Sequence, residues 1–440
     1  MKLFLQALIT AVLLAVFISP IFAASVGQVS VTTLPSGMKV IVREGHSINL
    51  AAVDIWIKAG SVNETSANNG VSHFVEHMIF KATEKYGPGQ IDREIEGLGA
   101  ELNGGTSRDY VHFYTTVASE YLPTALNVLA DAITNARFNP EDMEKERQVI
   151  LDEIARAESD SSRHAVSLFS RTAYTEHPYR MPPMGTKESI SKLTRDEIAA
   201  YYNQYYTPAN TCVVIAGDVT RSNVPTLVQG AFSGYTKAAQ ANTAPPAELP
   251  LASPKIQEFR STVSDTFIVL GYHAPPASEF REVCALDVAL ALLGDTYRGR
   301  VSMALNARNI RFNKVTTEFI VQRYPSTFSI LVSANPEDAD KVAPVLLTEL
   351  RRLGNELIPK GELENAKRLV EGSDLYEQET FSGQARALGL YEMVASYDLA
   401  LKYGSVVRSI TASDITAAAA KYFTDTGYCM VTIRPEGAEK

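Results

Sequence analysis

Residues 69–80 read Asn-Gly-Val-Ser-His-Phe-Val-Glu-His-Met-Ile-Phe, and no other stretch constrains the chain as much. The run is apolar nearly all round, which is the pattern of a helix buried in a core, and Asn69 is a good N-cap for it. His73 and His77 stand four apart, so their imidazoles stack on one face. Glu76 is three from His73 and shares that side. A lone buried histidine is ordinarily a hydrogen-bonded core residue. Two imidazoles and a carboxylate on one buried face are costly unless something binds them. Two neutral nitrogen ligands, with a carboxylate beside the water on a metal, are the parts of a zinc hydrolase, and the stretch predicts that chemistry.

The chain has 440 residues, enough for two or three domains. A net charge of −9 argues against nucleic acid as the main partner. At the start, Lys2 precedes an apolar run over 3–18, and Ser19-Pro20-Ile21-Phe22-Ala23 has the look of a cleavage region. These features predict a signal peptide over 1–23, cut after Ala23, and a mature protein that is periplasmic or secreted. The alternative is a retained anchor. The run is short for a span and has no basic stop-transfer flank, so stable membrane insertion is not expected. The cysteines are Cys212, Cys284 and Cys429. An odd number so widely spaced is not a disulfide framework, and none has the spacing of a cysteine zinc site. Cys212 and Cys429 sit in apolar strand patterns, which predicts buried thiols.

Strand patterns occupy 29–34, 39–43 and 51–58, with Pro35-Ser36-Gly37 as a turn. After the His73 helix, a second helix is expected over 90–98, stopped by Gly99. A strand is expected over 110–117, where the residues alternate. From 121 to 169 helices dominate. One starts at Asn139-Pro140-Glu141-Asp142: N-cap, proline at the first helical position, then acids on the dipole. Along it Glu146 and Glu153 lie seven apart, on one stripe with Ile150. Surface helices carry glutamate routinely, and this pair shares its stripe with apolar residues. A further helical region covers 186–205, and a strand covers 211–218. Residues 237–254 are rich in Ala, Thr, Asn and Pro without an apolar period, which predicts a linker between domains at 24–236 and 255–440.

Beyond the linker the layout recurs. A strand at 266–272, a helix at 281–293, a helix at 342–353 and a helix at 415–423 lead into the Cys429 strand, much as 198–206 leads into the Cys212 strand. The two cysteines are 217 residues apart. Carried forward by that interval, His73 and His77 fall on Leu290 and Gly294. The second half is therefore expected to copy the first with its metal helix turned apolar, giving a two-fold repeat of α+β units.

With these pieces in place the chain resembles the inverted-motif zinc metallopeptidases of the pitrilysin family, the group of the mitochondrial processing peptidase and insulin-degrading enzyme, in its short two-domain branch. The carrying strings are His73-Phe74-Val75-Glu76-His77, Leu102-Asn103-Gly104, the helix with Glu146 and Glu153, His177-Pro178-Tyr179 and Tyr205-Tyr206-Thr207-Pro208-Ala209-Asn210. The resemblance implies two homologous α/β-roll domains, each a sheet with helices packed on it, forming half of a clamshell chamber. It implies one Zn²⁺ per chain, held by His73, His77 and Glu153 with one position open. Glu76 is then the general base. Glu146 joins the catalytic group as the acid that orients a ligand histidine. Asn103 and Gly104 lie on an edge strand to which an extended peptide adds main chain to main chain.

One departure stands out. Active members of the family usually supply an Arg and, seven residues on, a Tyr from the non-catalytic half. Asn306 and Asn313 occupy those places here, and a neutral amide does not replace guanidinium charge near an oxyanion. The reading is an exported zinc endopeptidase subunit acting on peptides or unfolded segments. It is completed by a paralogous partner chain in a heterodimer, or works as a homodimer using other residues. The alternative from another class is a non-catalytic scaffold subunit on the same fold, whose mark is decay of the zinc residues.

Overall fold

The computed structural model describes residues 29–238, 244–294 and 298–437. The leader expected over 1–23 lies outside them, as does the middle of the linker. The first half holds strands β1 (Val29–Thr33), β2 (Lys39–Glu44), β3 (Leu50–Ile57), β4 (Asn103–Thr106), β5 (Val111–Ala118) and β6 (Thr211–Gly217). Its helices are α1 (Val71–Ile79), α2 (Gln90–Glu96), α3 (Leu122–Thr134), α4 (Pro140–Ser159), α5 (Ser161–Ala173), α6 (Lys187–Lys192), α7 (Arg195–Tyr205) and α8 (Val224–Ala231). The second half holds β7 (Lys255–Ser261), β8 (Thr266–Ala274), β9 (Phe312–Phe319), β10 (Ser326–Ala334) and β11 (Tyr428–Pro435). Its helices are α9 (Phe280–Leu293), α10 (Arg300–Ala307), α11 (Val342–Asn355), α12 (Lys360–Glu377), α13 (Phe381–Val394), α14 (Asp398–Ser409) and α15 (Ala412–Tyr422).

The strands form two sheets, in the orders β1-β2-β6-β3-β5-β4 and β7-β11-β8-β10-β9. Apart from the extra β1, the topologies match strand for strand, and each sheet has one parallel pair, β2 with β6 and β7 with β11. Cys212 pairs with Lys39 and Trp56, and Cys429 pairs with Lys255 and Gly271, so the two cysteines hold equivalent places. Both thiols are buried, as is Cys284. The repeat expected from the cysteine spacing is therefore a repeat of sheet topology. It does not extend residue for residue to the helices: α9 starts well before the expected copy of α1, and Gly294 is its C-cap.

One face of each sheet packs on its own half's helices in a large apolar core. The opposite faces are covered by exchange. From the first half, α5 lays Ala165 and Phe169 on Val269, Leu331 and Val431 of the second sheet. From the second half, α13 lays Ala385 and Leu388 on Trp56, Val214 and Ala216 of the first. Glycine sits at each crossing. A Cβ on Gly389 of α13 would lie 2.0 Å from Trp56 Nε1, and one on Gly271 of β8 would lie 2.7 Å from Phe169 Cζ.

Several expectations shift. The second helix ends at Glu96, before Gly99. Residues 186–205 form two helices, because Thr194 starts a new one with a capping box to Glu197. Strand β7 is an exposed edge, and its charged residues hide the strand period. In the linker, Glu248 accepts the backbone N–H groups of Thr175, Glu176 and His177 at 2.9 Å, which ties the segment to the end of α5. No helix among the described residues is long and apolar enough to cross a membrane.

Candidate metal centre

Helix α1 begins after Gly70, whose φ of 92° belongs to the left-handed region that favours glycine. Asn69, expected as the N-cap, does not cap. It is buried and donates from Nδ2 to Glu64 Oε2 at 2.8 Å and to the Pro182 carbonyl at 3.0 Å. Glu64 takes the capping role from outside the helix: Oε2 accepts the Gly70 N–H at 2.7 Å and Oε1 the Ser72 N–H at 2.9 Å. A carboxylate suits the positive end of the helix and satisfies two otherwise unpaired donors.

Helix α4 packs beside α1. Arg147 locks the arrangement by donating to the carbonyls of Ile190 and Leu193 while its guanidinium lies 5.3 Å from the Phe74 ring centroid. This brings Glu153 over the two histidines. Its Oε2 is 3.6 Å from Nε2 of both His73 and His77, and the ring centroids are 4.6 Å apart. One donor atom from each residue falls within a 4.8 Å group. The 3.6 Å separations are too long for hydrogen bonds. They are close to the ~3.4 Å that separates tetrahedral donors on bonds of about 2.1 Å. Two imidazole nitrogens and one carboxylate oxygen also suit Zn²⁺ chemically, so the residues fit the ion.

The electrostatics agree. Burial, with His77 second, pushes His73 down to about 3, leaving a neutral imidazole. Among the described residues nothing fixes its tautomer, since its buried Nδ1 has no hydrogen-bond partner there. His77 differs. Burial works to lower it, but the hydrogen bond to Glu146 and the charges of Glu76 and Glu153 outweigh burial and raise it. Glu146 Oε2 meets His77 Nδ1 at 3.1 Å, and its Oε1 accepts from Lys81 Nζ at 2.8 Å. These two bonds hold Glu146 below the usual carboxylate range in spite of its burial. With Nδ1 engaged, His77 turns Nε2 toward Glu153.

Glu76 lies on the flank facing β4, the edge strand of the first sheet. Thr106 donates its hydroxyl to Glu76 Oε2 at 2.7 Å, and a Cβ on Gly104 would stand 3.1 Å from Oε1. Burial raises Glu76 above its ordinary value, against the Thr106 hydrogen bond. Asn103 is exposed at the start of β4. The structure thus gathers His73, His77 and Glu153 at one point, with Glu76, Glu146 and Gly104 around them. Asn306 and Asn313 are exposed in the second half, and Asn313 donates to Asp265 at 2.7 Å. Sequence reasoning missed Thr106, Lys81 and Glu64. Lys81 stands four beyond His77, a spacing that could have flagged it. Thr106 and Glu64 are joined to the site only by the fold.

Residues 39–187 match the family model of Insulinase (Peptidase family M16), and residues 192–370 match that of the Peptidase M16 inactive domain. The chain belongs to the peptidase M16 family. It is 27% identical over 406 residues to an uncharacterized zinc protease of Streptomyces coelicolor, covering 90% of this chain and 87% of that one. A protease from Helicobacter pylori superposes with a TM-score of 0.88 at 23% identity, over 93% of this chain and 100% of that one. A chain of complex III2 from Candida albicans has the same fold at a TM-score of 0.78 and 16% identity, over 92% of this chain and 96% of that one.

Proposed function

We propose that this chain is an exported zinc endopeptidase subunit of the inverted-motif type, acting on peptides or unfolded segments that add as a strand to β4. The observation that carries the reading is the placement of a three-donor group and a separate half-buried carboxylate, Glu76, against a sheet edge. His73, His77 and Glu153 would hold one Zn²⁺ per chain, which supplies Lewis acidity toward the scissile carbonyl and makes water more acidic. The rest is done by the protein. The β4 edge offers unpaired main-chain groups that align an extended peptide. Glu76 takes the proton of the attacking water as its oxygen bonds the carbonyl carbon, then gives it to the amine nitrogen as the C–N bond breaks. Thr106 engages Oε2 of Glu76, leaving Oε1 for the proton. Glu146 is a positioning residue acting through His77.

Zinc analysis and turnover of a quenched peptide by the purified protein test the reading. Replacing His73, His77 or Glu153 should empty the site, and Glu76→Gln should keep the metal and stop turnover. Stoichiometric zinc in His77→Ala, or near-normal rates in Glu76→Gln, would overturn the assignment. Export rests on the composition of 1–23 and predicts a mature N-terminus at Ala24, read by mass spectrometry of the native protein; a retained Met1 refutes it. Partnership rests on Asn306 and Asn313. A scaffold subunit is the rival reading, and it has to explain why a complete donor group persists.

A further inference from the structure

A cavity of about 410 Å³ opens between the two halves beside the metal centre. Gly185 on its wall touches Gly70 at the start of α1, and Ile154 on its wall follows the ligand Glu153. Strand β4 runs toward it: past Thr106, which holds Glu76, the chain turns at 107–110, and Arg108 lines the cavity. An extended peptide laid along the β4 edge therefore passes Glu76 and reaches the cavity at one end.

The lining is cationic. Arg108, Arg163, Arg171, Arg180 and Lys314 face Glu158 and Glu318. Among the described residues Arg171 and Lys314 make no hydrogen bond or ion pair through their side chains. Arg108 donates to the neutral Ser170 hydroxyl at 3.0 Å, and Arg180 has only Ser66 at 3.5 Å. Of the two acids, Glu158 is already paired with Lys187 at 2.6 Å. Burial raises Glu318 above its ordinary value, opposed by the charge of Arg108. Arg163 is paired with Asp160 at 3.7 Å, and the other four cations still leave, in a protein of net charge −9, a local excess of positive charge between low-dielectric walls, which focuses an attractive field on anions.

We propose that this cavity receives carboxylates of the substrate, so that the enzyme selects peptides acidic at the end that lies beyond Thr106 on the β4 edge. The inference rests on the peptidase reading above. The carboxylates can come from aspartate and glutamate side chains or from a free C-terminus, and the two sources are separable.

The test measures binding of short fluorescent peptides to the Glu76→Gln protein by anisotropy, and cleavage of the same peptides by wild type. The set comprises a neutral amidated peptide, versions with glutamates at the N-terminal or the C-terminal end, and the neutral peptide as a free acid. One acidic version should bind roughly tenfold more tightly than the neutral peptide, as two or three charge pairs acting together would give. The preference should vanish at about 1 M salt, where screening is short-ranged, and in Arg171→Gln/Lys314→Gln, two exposed positions whose folding is checked by thermal melting. A gain for the free acid alone assigns the site to a C-terminus and also supports the proposal. Equal binding of acidic and neutral peptides, or a preference that survives the double variant, overturns it. Equal cleavage of all peptides overturns the selectivity while leaving the peptidase reading intact. Selective binding without any cleavage by wild type does the reverse.

Discussion

Gly389 of α13 lies against the indole of Trp56 on β3, and the second half mirrors this contact with the sizes exchanged. Trp56 and Gly271 hold equivalent places beside Cys212 and Cys429. Opposite the large residue the crossing helix carries glycine, and opposite the glycine it carries Phe169. Each half therefore needs the other's helix to complete its sheet. Gly389→Ala tests this. Alanine is favoured over glycine in a helix interior by about 1 kcal/mol, but a Cβ 2.0 Å from Trp56 Nε1 forces repacking that costs about 1–3 kcal/mol or more. The clash should win, giving a lower urea midpoint. A stabilised variant would show that the crossing is slack.

Thr106→Val keeps the shape at β4 and removes the donor to Glu76 Oε2. The base loses its alignment, so kcat should fall by about tenfold, with KM and zinc content unchanged and with recovery in Thr106→Ser. Peptide kinetics and metal analysis read all three. Unchanged kcat in the valine variant would mean that packing alone holds Glu76.

Glu146→Gln weakens the acceptor that sets the His77 tautomer. Zinc affinity should drop by about 10–100-fold, measured by competition with a chelator. Lys81→Met, which leaves Glu146 in place but removes its other partner, should have a smaller effect. If Lys81→Met costs more than Glu146→Gln, orientation of His77 is not what Glu146 contributes.

Much of this centre was legible because three of its groups fall within two turns of one helix. His73, Glu76 and His77 are tied by local geometry, so their spacing alone places them together. Glu153 needed the packing of α4 on α1, and its role followed only from the family resemblance. Thr106 and Glu64 had no signal: each reaches the site through a tertiary contact that nothing in its neighbourhood specifies. The exchange of α5 and α13 was hidden for the same reason. An amphipathic helix declares an apolar face and not the sheet that covers it. The cysteines revealed the repeat because central strands keep register, while the helices between them tolerate shifts.

Asp287 on α9 is half-buried, and its desolvation pushes it up to about 7 although Tyr403 donates to its Oδ2 at 2.9 Å. The folded state thus holds this proton more tightly than the unfolded chain, whose aspartate titrates near ~3.9. Stability should fall as pH rises from about 4 to about 7 and level off above, because the native state binds more protons in that window. Asp287→Asn removes this contribution. The difference between wild-type and variant stability, followed by denaturant titration across that range, should grow in the variant's favour with pH. A constant difference would mean that Asp287 keeps an ordinary affinity for its proton.

The last prediction concerns what the second half lacks. Asn306 and Asn313 stand where the resemblance leads one to expect an Arg and a Tyr, and both are exposed. Asn313 is already engaged with Asp265, which also accepts the Ser333 hydroxyl at 2.5 Å, so it serves the local structure of the second sheet. The donor group of the first half is complete. A chain with a whole metal centre and no transition-state cation from its own second half should bind zinc normally and cleave slowly, since each missing donor of this kind costs about 10²–10³ in rate. A paralogue carrying the pair should raise kcat more than it lowers KM, because those contacts act mainly in the transition state. Asn306→Arg with Asn313→Tyr should restore part of the rate to the lone chain, reduced by the loss of the Asp265 contact. Steady-state kinetics on one quenched peptide compares the lone chain, the mixture and the double variant. Full activity of the lone chain, unchanged by any partner, would refute the two-chain enzyme and leave the peptidase standing, because the metal centre and Glu76 belong to the first half alone.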